Sequence, residues 1–445
     1  MEQQAQVTIA GGGLAGCEAA WQLLRRGVGV RLYEMKPSVF SPAHSLPELA
    51  ELVCSNSLKS VNLDTAHGLL KEELGRLDSL ILQSAYATRV PAGQTLAVDR
   101  LAFARLVTEK LLQQPGFCLV REELTHLPTD HPIIMATGPL TSAALSQELL
   151  RLTAADALYF YDAIAPIIRG DSIDSHKVFA ASRYNKGEAD YLNCPMTESE
   201  YLAFVHELKN AATTTPHIAE DLKVFEGCMM VETLAQRGDL TLAHGPMRPV
   251  GLISPLTGKR PFAVIQLRQE DDYRGLYNIV GFQTRLKQGE QQRVFRMIPG
   301  LEQAKFVRYG SAHRNTFVNA PKVLTPTLQL RDFPNIFLAG QITGVEGYLE
   351  STAMGLIAAL SLGRFLENQP MPLPTPRTAM GALIHYLSHG NPKSFQPMNI
   401  NFGIITEPPS QIHKKERRAY LVETARQDFG AWLMDLGLDK SLTNG

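Results

Sequence analysis

Five cysteines, at positions 17, 54, 118, 194 and 228, are the side chains best suited to nucleophilic chemistry. Their number is odd, and no pair has the C-x-x-C spacing of a zinc or redox motif. Cys54 has an unusual setting, VCSNSLKS, with Ser55, Asn56 and Ser57 directly after it. A structural cysteine normally packs among apolar neighbours as a small hydrophobe. A thiol among polar residues points to a loop, where reactivity can matter, or to a plain solvent-facing position.

The second chemical signature is rich in glycine. The apolar run QVTIA leads into GGGLAG, and Leu14, Cys17, Trp21 and Leu24 then recur at helical spacing. Gly27 follows Arg25 and Arg26 as a helix stop, and VGVRLYE reads as a second strand ending in Glu34. Gly11, Gly13 and Gly16 fit G-x-G-x-x-G in a β-α-β unit. The glycines permit a tight turn, close approach of backbone N–H groups to a pyrophosphate, and tight helix–sheet packing. The site expected here comprises Gly11, Gly12, Gly13, Leu14, Ala15 and Gly16, with Glu34 placed to bind ribose hydroxyls.

Two further edges have the same character. HPIIMATGP (131–139) is a strand ending in a small turn. NIFLAGQITGVEGYLESTAMGLIAAL (335–360) is a strand meeting Gly340 and Gln341, then a helix of small residues opening near Gly347. Three such edges spread along the chain suit a long cofactor such as FAD better than a compact NAD site.

The 445 residues are 44% hydrophobic and 20% charged, a globular composition long enough for two or three domains of about 150 residues. A formal charge of −1 gives no global sign of a nucleic-acid or membrane binder, so RNA contact would rest on local basic patches. The N-terminus lacks the basic and apolar regions of a signal peptide, and no apolar run approaches the roughly 20 residues that span a bilayer. The expected setting is reducing cytoplasm, with all five cysteines as thiols. Between about 175 and 320 the texture changes. MTESEYLAFVHEL (196–208) is helical with a Thr197/Glu200 capping box, and HGPMRPVGLISPLTGKRPFAVIQLRQ (244–269) reads as antiparallel sheet. The fold class expected is α/β: a Rossmann-like FAD-binding domain in two segments, 1–175 and 321–445, the latter with C-terminal helices, around an inserted α+β domain at 176–320. PMPLPTPRT (370–378) is a proline-rich connector.

GGGLAGCEAAWQLLRRGVGVRLYEMKP, CSNSLKS, VPAGQTLAVDR, YFYDAIAPI, YLNCPMTESEY, FEGCMMVE, HGPMRPVGL, AHRNTF and LAGQITGVEGY together resemble the bacterial folate- and FAD-dependent tRNA (uracil-5-)-methyltransferases, TrmFO. The resemblance runs from about residue 6 to 432, and LAGQITGVEGY is also similar to the GidA (MnmG) wobble-uridine enzymes. It implies methylation of the T-loop uridine of tRNA at C5. Methylenetetrahydrofolate supplies the carbon, and reducing equivalents come through FAD, regenerated by NAD(P)H. The partners implied are tRNA and folate, with no membrane and no obligate protein partner.

Uracil C5 becomes nucleophilic when a thiolate adds at C6, which calls for an exposed cysteine of depressed pKa. The family uses two cysteines, matching Cys228 and Cys54. Cys228 follows Glu226 and Gly227 at a turn before VETLAQRG and is expected to attack C6; Cys54 is the second thiol, a general base or a temporary flavin-side partner. Packing of Cys228 beside Met229 and Met230 is the bland alternative. Cys17 reads as structural and Cys118, in GFCLV, as strand core. His313 is expected to stack on the pterin of folate, with Arg314 and Asn315 orienting it. Two basic clusters are RNA candidates or solvated faces: Lys414, Lys415, Arg417 and Arg418 near Tyr420, and Arg285, Lys287, Arg293 and Arg296. Competing readings are the same chemistry on ribosomal RNA, a flavin oxidoreductase on a small molecule, and a GidA-like assembly protein. The last would need a long C-terminal helical domain, and this chain ends 94 residues after GYLES.

Overall fold

The computed structural model describes residues 7–153, 158–185, 189–214, 229–409, 411–413 and 416–438. The apolar runs read as strands assemble into a five-stranded parallel sheet in the order Ile336–Leu338, Ile133–Met135, Val7–Ala10, Val30–Tyr33, Phe117–Val120. Ile9 stands opposite both Leu32 and Ile134, so the central strands come from both ends of the first 135 residues. All three residues of Ile133–Met135 and Ile336–Leu338 are buried, as continuous apolar strands covered on both faces must be. Phe117–Val120 is the edge strand opposite Ile336–Leu338, and Cys118 on it is exposed rather than core.

Two helices frame this sheet. Leu14–Leu24 starts at Gly13 and ends before Arg25, with Gly27 at φ +78° carrying the chain out. Tyr348–Leu366 starts at Gly347, and most of its length is buried. It is the one helix among the described residues with the length and apolar composition to cross a membrane, and here it is a core helix. The C-terminal helices Ala379–His389 and Arg417–Asp435 pack on the same core.

A second core lies between residues 168 and 304. Its six-stranded sheet is antiparallel throughout, in the order Phe179–Ala180, Tyr191–Met196, Ala263–Gln269, Leu276–Ile279, Ile167–Arg169, Phe306–Arg308. Helix Glu198–Asn210 contributes Tyr201, Phe204, Val205 and Leu208 to this core. Its N-terminus carries the expected capping box: Glu200 N–H donates to the Thr197 hydroxyl, and Thr197 N–H donates to the Glu200 carboxylate. Within 244–269 only Ala263–Gln269 is a strand. Pro246, Pro249, Pro255 and Pro261 each lack the N–H that a ladder needs, so 245–262 forms turns instead. The chain passes between the cores through a two-stranded ribbon, Leu158–Ile164 against Ser311–Phe317, in antiparallel register with Ile164 opposite Ser311.

One buried carboxylate ties the C-terminal part to the cofactor core. Glu73, on helix Ala66–Arg76, accepts the N–H groups of Ala379 (2.7 Å) and Met380 (2.8 Å) at the start of Ala379–His389. Burial pushes its carboxyl up to about 8, against the pull of those two amides. An unfolded glutamate titrates near 4.3. The folded state therefore holds an extra proton between those values, and stability is lost as pH rises through that window. Replacing Glu73 with Gln should keep an acceptor and remove this dependence, so in urea titrations wild type should lose stability relative to Glu73→Gln between pH 5 and pH 8. Glu73→Ala, which strands two buried amides, should cost on the order of 3 kcal/mol relative to Glu73→Gln at every pH.

Candidate functional site

A groove opens at the C-terminal edge of the parallel sheet, where a doubly wound sheet places its ligand. It holds about 1050 Å³ of empty space, its open mouth included. One end is walled by Tyr33, Glu34, Met35 and 122–124; its middle by Gly11, Gly12 and Gly13; its other end by 137–142, Gly340, Gln341, Tyr348 and Ser351.

The glycine loop is shaped by contacts that leave no room for side chains. At Gly11, φ is +100° and a Cβ would lie 2.6 Å from the Ala136 carbonyl oxygen; at Gly16 it would lie 1.9 Å from the Gly11 oxygen. Around Gly13, in contrast, a Cβ would meet nothing within 4 Å, so the start of the first helix faces open space. The N–H groups of that first turn have no partner within the helix and carry its positive dipole end, a setting for phosphate oxygens. Glu34 is 7% exposed and its carboxylate accepts the N–H of Gly12 (2.9 Å) and of Lys36 (3.0 Å). It stiffens the glycine loop while lining the groove. Cys17 is fully buried behind the loop, its thiol donating to the Gly12 carbonyl at 3.3 Å, and burial pushes that thiol far up. These features fit a long dinucleotide with its diphosphate over Gly11–Gly13.

Gly340 and Gln341 line the same groove, as expected; Gly347 lies outside its lining and instead caps the long helix at φ +119°. The Glu350 carboxylate fills the space where a Gly347 side chain would go, at 2.2 Å from its Cβ position. Glu350 also accepts the Ile400 N–H, and burial pushes its carboxyl up to about 7.

Cys54 lies beside the groove. Val53 and Tyr348 line it, and the Cys54 N–H donates to the Tyr348 hydroxyl at 2.9 Å. Burial pushes the Tyr348 phenol well above its ordinary range. The polar residues after Cys54 have a structural role: Asn56 is fully buried, donates to Val98 (2.9 Å) and Gln269 (3.0 Å) carbonyls, and accepts from Arg268 Nε (2.8 Å). It thus pins the Cys54 loop to the second core. Cys194, with no role from sequence, is buried within that core. Cys228 lies outside the described residues.

His313, Arg314 and Asn315 fall on the ribbon strand Ser311–Phe317. The side chains of the first two lie outside the described residues; Asn315 is 3% exposed. Thr316 N–H donates to the Pro139 carbonyl at 2.8 Å, which sets this strand against the groove wall. Of the basic clusters, Arg293 pairs with Glu207 and Glu290, Arg296 donates to the Ala304 carbonyl, and Arg285 lies 3.8 Å from Glu232. Lys287 precedes helix Gln288–Phe295. Lys414 and Lys415 lie outside the described residues, while Arg417 and Arg418 are exposed, Arg418 sitting 5.8 Å from the Phe402 ring centre.

Sequence reasoning missed Tyr348, Arg100, Arg308 and Gly355. A Cβ on Gly355 would lie 2.2 Å from the Ala15 carbonyl oxygen, so the two framing helices touch backbone to backbone. Gly355→Ala must push the first helix off the long one and spoil the cradle. The purified variant should lose most of its flavin absorbance near 450 nm, whereas Gly363→Ala on the same helix, where a Cβ meets nothing within 4 Å, should retain it.

Residues 6–370 match the family of glucose inhibited division protein A. The methylenetetrahydrofolate–tRNA-(uracil-5-)-methyltransferase TrmFO of Syntrophus aciditrophicus is 53% identical, covering 97% of this chain and 98% of its own. The TrmFO of Pelobacter propionicus is 55% identical, over 96% and 94%. The solved structure of Aquifex aeolicus GidA, form II crystal, superposes with a TM-score of 0.70 at 16% identity, covering 98% of this chain and 74% of that one. With the fold shared with GidA and more than half the sequence shared with these relatives from end to end, the chain belongs to the GidA family and, within it, to the TrmFO methyltransferases.

Proposed function

We infer that this protein methylates C5 of a uridine in tRNA, taking the carbon from methylenetetrahydrofolate, with FAD bound in the groove. The observation that supports this most directly is the joining of Cys54 to the groove wall through Tyr348, which sets a thiol beside the cofactor site. Gly11 to Gly16 hold the cofactor's diphosphate, and Glu34 keeps their loop rigid. FAD, when bound and reduced, supplies the hydride equivalent that converts a transferred methylene to a methyl group.

The remaining steps belong to the chain's own residues. A thiolate, assigned to Cys228, adds to uracil C6 and makes C5 nucleophilic; C5 takes the methylene from the folate and loses its proton to a base. Elimination restores the thiolate. Cys54 is the second thiol, and we assign it to the proton at C5. His313, Arg314 and Asn315 are assigned to the pterin, since their strand abuts the groove wall at Pro139. RNA contact is assigned to the exposed Arg417 and Arg418, as the 285–296 cluster is engaged by carboxylates and a carbonyl. A discontinuous first domain, expected as 1–175 with 321–445 around an insertion at 176–320, is supported by the two separate cores, although the second core already begins at Ile168 and the first resumes at Phe317. The reaction is placed in the cytoplasm, with the T-loop uridine as target and NAD(P)H as reductant.

Labelled methylenetetrahydrofolate, NADPH, FAD and an unmodified tRNA transcript test this reading. Labelled 5-methyluridine should appear in the T loop, and Cys228→Ala and Cys54→Ala should each lower its rate by more than 100-fold. Label in ribosomal RNA alone would reassign the substrate. Flavin turnover with neither RNA labelled would point to a small-molecule oxidoreductase.

A further inference from the structure

Segment 52–54 is held from three directions, by groups far apart in the chain. Tyr348, at the start of the long helix, accepts the Cys54 N–H. Arg100, at the start of helix Arg100–Leu112, donates to the carbonyls of Leu52 and, at 2.9 Å, of Cys54. Arg308, at the end of the edge strand Phe306–Arg308 in the second sheet, donates to the Val53 carbonyl at 2.6 Å and reaches the Ala43 carbonyl at 3.4 Å. Two guanidinium groups thus flank one short loop.

Their charges are balanced differently. Arg100 pairs with Glu270, whose carboxylate is 2% exposed. Burial works against the charge of Arg100, yet Glu270 holds it above its ordinary value. Arg308 has no ion pair among the described residues and donates only to carbonyls. Burial, and then the like charge of Arg100, pull it below its ordinary value. Glu51 is the carboxylate whose charge reaches Arg308, but its oxygens already serve Lys36 Nζ, Ser45 and Leu46. A half-buried cation without a carboxylate calls for another negative group. Other titratable groups around Cys54 are the Tyr348 phenol, which burial keeps protonated, and His44 beyond Arg308, whose imidazole burial keeps neutral. Among the described residues the Cys54 thiol is the remaining group that both guanidinium ions can stabilise as an anion, with Arg100 on the Cys54 carbonyl and Arg308 on the Val53 carbonyl.

We propose that Arg308, with Arg100 beside it, holds Cys54 in place and keeps it poised as a thiolate at the edge of the flavin groove. Arg308 is then a positioning residue for the thiol chemistry, and the proposal rests on reading Cys54 as a working thiol. Because Arg308 and Glu270 come from the second core while the loop belongs to the first, the acidity of Cys54 depends on the docking of the two cores.

The test is the pH profile of Cys54 alkylation by iodoacetamide in the full-length, flavin-containing protein, with the Cys54 peptide quantified by mass spectrometry. Wild type should react with a midpoint well below 8.5, the value for a free cysteine. Arg308→Met should raise the midpoint by about one unit, which is about a tenfold loss of alkylation rate at pH 7. Arg308→Lys, which keeps the charge, should recover most of that loss; a purely structural role would leave the midpoint unmoved in all three. Flavin absorbance and melting temperature report folding. If Arg308→Met does not fold, the wild-type midpoint and the Arg308→Lys profile decide. A wild-type midpoint at or above 8.5, or identical profiles in wild type and folded Arg308→Met, overturns the proposal. No tRNA or folate enters this assay, so a failure of methyl transfer alone leaves the proposal standing.

Discussion

The approach of the first helix to the long helix governs the geometry of the site. The Ala15 carbonyl lies 2.2 Å from where a Cβ on Gly355 would be, and the Ala15 methyl lies 2.8 Å from the corresponding point on Gly340. Only glycine permits either approach, and both bring residues from the end of the chain against the loop at its beginning. The groove wall formed by Gly340, Gln341, Tyr348 and Ser351 exists because of that contact. The start of the first helix, with its unpaired N–H groups, then faces a confined space rather than bulk water.

From that contact the reactive part of the molecule follows. The long helix carries Tyr348 at its first position, and Tyr348 holds the Cys54 N–H. The Cys54 loop is in turn fastened to the second core by Asn56, through Arg268 and the Gln269 carbonyl. A buried amide with all its groups engaged gives little driving force for folding, but it fixes register. The thiol is therefore positioned by both cores, and neither alone completes its surroundings.

Sequence made the local devices plain. The stop at Gly27 and the Thr197/Glu200 capping box depend on neighbours a few residues away, and both stand as read. Legibility failed where the partner is distant. Nothing near Gly355 indicates that Ala15 will meet it, and nothing near Arg308 indicates the Val53 carbonyl. Pattern alone also misled in two places: 244–269 read as short strands between Gly/Pro turns, yet the prolines forbid strand over 245–262, and Cys118 has an apolar sequence context but is exposed. Glu34 lines the groove, and the backbone amides that engage it are a tertiary fact.

The ribbon joining the cores also determines how the second core is threaded onto the first. Ile164 and Ser311 are opposite each other in antiparallel register, so the chain leaves the first core and returns to it at one point. A two-residue turn is all that geometry would require to connect those positions. In topological terms the second core is an elaboration at the tip of a hairpin. Such a tip can accept a large insertion without rethreading the parent sheet.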